Sequence, residues 1–147
     1  MEYLLITIAV LILIGSISIA IPSKASRKIS RIRMDAKLLG CKISSNLYGE
    51  NKFKNSSKFS VSYSIKNHTN LKEAHFVRDK TELILYSPVK LKYSDSFDYL
   101  NEELQNISNS LEEVIFTSVS ISFLWKELDG LDELKEIIKN FEKLKKF

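Results

Sequence analysis

Phe59-Ser60-Val61-Ser62-Tyr63-Ser64-Ile65-Lys66 alternates apolar and polar residues without a break. Successive side chains on a strand point to opposite faces. This octet therefore predicts a strand with Phe59, Val61, Tyr63 and Ile65 on a core and the serines and Lys66 toward water. Downstream, Asn67 to Asn70 supplies turn residues, and residues 74–77 and 83–86 make two more short strands around Arg78-Asp79-Lys80. Upstream, residues 41–47 are a candidate first strand, and residues 48–57, with Gly49 and Asn55, read as a loop. Together these segments predict an antiparallel meander with one face in water.

Beyond the meander the period changes. Phe97, Leu100, Leu104, Ile107 and Leu111 recur at helical spacing, and Ser94 to Ser96 offer N-caps. Residues 114–119 are β-branched and aromatic and predict a returning strand, while residues 122–128 fit either its continuation or a short helix. Gly130 closes that segment. Leu131, Leu134, Ile138 and Phe141 then define a last amphipathic helix with Lys-rich final turns. The order of elements predicts an α+β domain over residues 41–147, a mostly antiparallel sheet packed with two or three helices. About a hundred residues suffice for a core, so this body is expected to fold by itself.

The N-terminal end is of another kind. Residues 3–21, YLLITIAVLILIGSISIAI, carry no charge and are just long enough to cross a hydrocarbon layer of about 30 Å. A cleaved leader is the rival reading, with Ser18-Ile19-Ala20 as its small-residue site. Only Met1 and acidic Glu2 precede the apolar run, so the positive start of a leader is missing and residues 1–22 are expected to be a transmembrane anchor. Five Lys/Arg fall in residues 24–33 and none before the span, which predicts an N-terminus outside and a cytoplasmic body. Ala9, Ser16 and Ala20 share one face of the span, where a second transmembrane helix would approach closely.

Pro22 kinks or breaks the helix, and residues 23–40 predict a second, basic amphipathic juxtamembrane helix ending at Gly40. Ala25, Ile29, Ile32, Ala36 and Leu39 form its narrow apolar stripe. Lys24, Arg27, Lys28, Arg31 and Arg33 are the candidate contacts to anionic lipid head groups, since guanidinium forks suit phosphate oxygens. The net charge of +4 is concentrated there: residues 24–42 carry +6, and residues 1–23 and 43–147 carry −1 each. Nucleic-acid binding needs a basic face on the folded body, so it is not expected.

The run PSKASRKISRIRMDAKLLG at residues 22–40, with Leu124-Trp125-Lys126-Glu127 further on, resembles a group of small uncharacterised bacterial single-span inner-membrane proteins. Some of these are labelled as similar to YajC, the auxiliary subunit of the preprotein translocase. The resemblance implies location and architecture, and assigns no site residues.

Catalytic chemistry is not visible in the pattern. His68, His75 and Glu73 have no metal-ligand spacing and read as solvated or packed. Cys41 has no partner base and reads as a buried thiol. Glu102-Glu103, Glu112-Glu113 and Asp132-Glu133 are adjacent, which does not make carboxylates converge. Four glycines hardly build a phosphate loop. Phe116, Phe123 and Trp125 read as core, and the triplets at Asn55, Asn67 and Asn106 would not be glycosylated in a cytoplasmic body. The sequence thus predicts a non-enzymatic adaptor in a bacterial inner membrane, without cofactor, whose partners are anionic lipid and another protein. The alternatives are an accessory subunit of a membrane complex such as a translocase, and a membrane-anchored enzyme.

Overall fold

The alternation around Tyr63 forms a strand inside a six-stranded, fully antiparallel sheet. The computed structural model describes residues 1–46 and 53–146, so Leu47 and the expected loop at 48–52 lie outside the described residues. The strands are β1 (Lys42–Ser45), β2 (Val61–Lys66), β3 (Ala74–Asp79), β4 (Glu82–Ser87), β5 (Leu111–Phe116) and β6 (Ser120–Trp125). The helices are α1 (Glu2–Ala20), α2 (Lys24–Leu38), α3 (Phe97–Gln105) and α4 (Leu131–Lys143). Spatial order is β1-β2-β6-β5-β3-β4. This corrects the expected meander: the β5–β6 hairpin inserts between β2 and β3, which do not pair with each other.

One face of the sheet carries the apolar core. Tyr63, Phe76, Val114, Phe116, Ile121, Phe123 and Trp125 are buried there against Leu100 and Leu104 of α3 and Leu134, Ile137 and Phe141 of α4. Aromatic rings run through it at centroid separations of 5.4 to 6.3 Å, from Phe76 through Phe116 and Phe141 to Phe123, the range in which such pairs add stability beyond area alone.

α3 stops at Gln105, and Ile107 and Leu111 do not extend it as their spacing predicts. The reason is Arg78: its guanidinium donates to the carbonyls of Leu111, Ser108 and Thr81 and to Asn109 Oδ1, holding residues 108–111 in a turn. Leu111 stays fully buried but opens β5, so that strand begins three residues before the expected Val114 and ends at Phe116. Residues 122–128 resolve into the end of β6 and a short 3-10 turn, Glu127–Asp129. Gly130, at φ 104°, a conformation open to glycine, starts α4. Gln105 also pairs its carboxamide with both backbone groups of Leu83, at 3.3 and 3.0 Å, and so blunts the edge strand β4.

α1 is long and apolar enough to cross a membrane, and none of its residues is buried. Its hydroxyls are satisfied within the helix: Thr7 donates to Tyr3 O, Ser16 to Ile12 O and Ser18 to Ile14 O. The chain is extended at Ile21, before Pro22, and the Ser23 hydroxyl caps α2 by accepting from Ser26 N at 3.1 Å. α2 ends as predicted, with Gly40 at φ 88° in a Schellman motif: Cys41 N donates to Ala36 O and Gly40 N to Lys37 O.

α2 does not stand apart from the body. Ile32 and Ala36 belong to the same buried cluster as Tyr63 and Trp125. The expected partition at residue 40 therefore divides one core, because the stripe of α2 needs an apolar surface and the sheet supplies it.

Candidate functional site

The α2 stripe docks beside the Glu127–Asp129 turn, and a polar junction fixes the docking. Arg33 donates Nε to Glu127 Oε1 at 2.7 Å and Nη2 to Oε2 at 2.9 Å, a bidentate pair. Tyr63 OH donates to the same Oε1 at 2.6 Å. The hydrogen bond with Glu127 holds the Arg33 guanidinium above its ordinary pKa despite partial burial. Burial, then the neighbouring Glu127 carboxylate, pushes the Tyr63 phenol well up, so it stays a donor. One turn toward α1, Lys28 Nζ donates to Leu128 O at 2.8 Å.

Five residues are expected at lipid head groups. Lys24, Arg27, Lys28 and Arg31 are exposed, whereas Arg33 is half-buried with its fork engaged by Glu127. Arg33 thus belongs to the joint between helix and body. The other four lie at i, i+3, i+4 and i+7, which places them on one face of α2. Ala9, Ser16 and Ala20 are exposed along α1.

A second polar cluster sits on the opposite face of the sheet. The register of β5 shifts between Leu111 and Glu113, and the Glu113 carboxylate lands fully buried on the face away from α4. It accepts from Lys54 N at 2.7 Å and Asn55 N at 2.9 Å, and His75 Nε2 lies 2.5 Å from its Oε1. Burial pushes the Glu113 carboxyl up, but the hydrogen bonds from His75, Asn55 and Lys54 outweigh it and leave its pKa below the ordinary value. An ionised carboxylate only accepts, so Nε2 of His75 carries the proton. The His75 ring meets the Tyr86 ring edge-on at 5.0 Å, and Lys54 Nζ lies 4.1 Å from the Tyr86 centroid.

This clamp ties residues 53–55 across the sheet, with Phe53 buried beneath. It corrects the expectation that this face meets water, which holds at Ile84 and Tyr86 but not at Ser62, Ser122 and Leu124. A cleft of about 610 Å³ opens beside it, lined by His75, Tyr86, Ser87, Glu73, Lys54 and Thr117 among others.

His75 is thus packed, and its partner is Glu113 rather than the neighbouring Glu73. Sequence reasoning passed over Glu113 because it began the strand one residue later; extending the alternation back from Ile115 would have put Glu113 on that residue's face. Cys41 is buried, and burial pushes its thiol up to about 11. Among the described residues no cluster of three His, Cys, Asp or Glu is arranged to hold a metal ion. Asn67 serves the fold: its carboxamide donates to Leu71 O and Thr117 O and accepts from Thr69.

No family model matches the chain, and no curated protein or solved structure is significantly similar to it.

Proposed function

We propose that this chain is a single-pass protein of a bacterial inner membrane, with α1 in the bilayer, the N-terminus outside and the α+β body in the cytoplasm. There it works as a non-enzymatic adaptor, presenting the body to a protein partner at the lipid surface. One observation carries the reading: α1 is exposed along its whole length, while α2, three residues further on, is locked into the core. An apolar helix that finds no cover in its own body is covered by lipid. The joint through Ile32, Ala36 and Arg33 then holds the body at a fixed offset from the membrane. The exposed face of Lys24, Arg27, Lys28 and Arg31 supports the orientation and head-group contact.

The buried, weakly acidic Cys41 gives a silent background for labelling. In intact cells, a Val119→Cys variant should resist a membrane-impermeant maleimide and react after lysis. Reaction in intact cells would place the body outside and restore the leader reading. Co-purification from gently solubilised membranes tests the adaptor role. A soluble partner is expected, whereas a stoichiometric integral-membrane partner would replace the adaptor with an accessory subunit of a membrane complex.

A further inference from the structure

We infer that Leu128 is a second point of membrane contact, an apolar side chain seated in the head-group layer beside α1. This rests on the reading of α1 as a membrane span. Leu128 is 55% exposed, at the middle of the Glu127–Asp129 turn. An exposed leucine is unremarkable by itself; this one is held in place beside the basic face of α2. Its carbonyl accepts from Lys28 Nζ at 2.8 Å. Its neighbour Glu127 is occupied by Arg33 and Tyr63, and Asp129 accepts from the Ser110 hydroxyl. Glu127, which would repel an anionic surface, is therefore engaged by the body, while Asp129 stays exposed beside the apolar side chain.

Chain geometry sets how far Leu128 can be from lipid. Lys28 follows Ile21 by seven residues. With Ile21 to Ser23 extended and the rest helical, they reach at most about 15 Å. The head-group layer itself adds roughly 5–7 Å beyond the hydrocarbon. Lys24, Arg27, Lys28 and Arg31 share one helix face, and for all four to meet phosphates α2 must lie nearer to the membrane plane than to its normal. Lys28 then sits at head-group level, and the Leu128 carbonyl is hydrogen-bonded to its ammonium. The membrane-facing surface thus joins a basic stripe to one apolar residue from a segment a hundred positions away, and it fits an anionic bilayer surface.

The test uses the full chain in vesicles containing phosphatidylglycerol. Single variants Leu128→Cys, Val119→Cys and Ile12→Cys carry an environment-sensitive nitrobenzoxadiazole label, with buried Cys41 left in place. Val119 is the reference: it is 72% exposed and lies just before β6, whereas Leu128 lies just after that strand. A head-group nitroxide lipid should quench the label at 128 several-fold more than at 119, with blue-shifted emission, and an acyl-chain nitroxide should quench it at 12. If the label at 12 is quenched while 128 behaves like 119, the inference falls and the span reading stands. If the label at 12 is not quenched, the span reading falls and takes the inference with it.

Discussion

Phe123 and Glu113 are both fully buried, on opposite faces of one sheet, and different forces bury them. On the face of Phe123, three helices lay apolar stripes onto a continuous apolar surface. That cover is held by area and volume, and another apolar residue of similar size would serve. On the face of Glu113, residues 53–55 are held by two backbone N–H groups and an imidazole converging on one carboxylate. That cover depends on direction and charge, and a shift of one atom type undoes it. A half-buried sheet can therefore be closed on both sides by unequal means.

The largest expected effect comes from the directional side. Glu113→Gln keeps the shape but removes the charge and turns an NH2 toward donors that need an acceptor. Breaking a buried, hydrogen-bonded charge in this way costs about 3–5 kcal/mol, read as a lowered denaturation midpoint. The adjacent Glu112 is the control. It is partly exposed and pairs with Lys126 at 3.2 Å on the surface, so Glu112→Gln should cost under about 1 kcal/mol. Equal losses at the two positions would erase the contrast between faces. The same carboxylate predicts an acid dependence. Its folded pKa is depressed, so its stabilisation is present above the ordinary glutamate value near 4.3 and is lost as pH falls through the lower folded value. A midpoint-against-pH curve should drop on that acid side in the native chain and flatten in Glu113→Gln.

The apolar side should show the next effect. Ile32→Ala deletes buried methyl groups where α2 meets the sheet and should cost about 2–4 kcal/mol. Ile12→Ala, on exposed α1, should leave unfolding of the body unchanged in detergent. Loss at both positions would mean that α1 also packs on the body. Arg33→Met tests the polar rim of the same joint. It leaves the largely buried Glu127 carboxylate with Tyr63 alone, for a loss of about 1–3 kcal/mol.

These two kinds of cover were not equally legible. Period-2 and period-3.6 patterns placed β2, α2 and α4 and the buried Tyr63, Ile32, Ala36, Leu134 and Phe141, because area-driven burial leaves a repeating mark along the chain. Ala25 and Leu39 of the expected α2 stripe are exposed, and the buried Ile137 of α4 lies outside the expected positions. The end of α3 was not visible: Ile107 and Leu111 keep the helical phase, and it is Arg78, from another strand, that draws residues 108–111 into a turn. Sheet order was also hidden, since hairpins announce their own pairing but not which neighbours they slip between. At the candidate site, the exposed Lys24, Arg27, Lys28 and Arg31 follow from one helix face. The partners of Arg33, His75 and Lys28 come from 94, 38 and 100 residues away, and no local pattern encodes such pairs.

The smallest effect separates the clamp's side chains from its backbone. Lys54 contributes twice: its N–H donates to Glu113, and its ammonium lies 4.1 Å from the centroid of the Tyr86 ring. Lys54→Ala removes only the second, and an exposed cation–ring contact of this kind is worth about 0.5–1 kcal/mol. Tyr86→Phe keeps the ring and should change little, whereas Tyr86→Leu loses both the cation contact and the edge-on contact with His75. A double-mutant cycle between Lys54→Ala and Tyr86→Leu should return a coupling near the cation–ring value. A coupling of several kcal/mol would mean that the Lys54 side chain helps hold the Glu113 carboxylate, and the clamp would then not be backbone-directed.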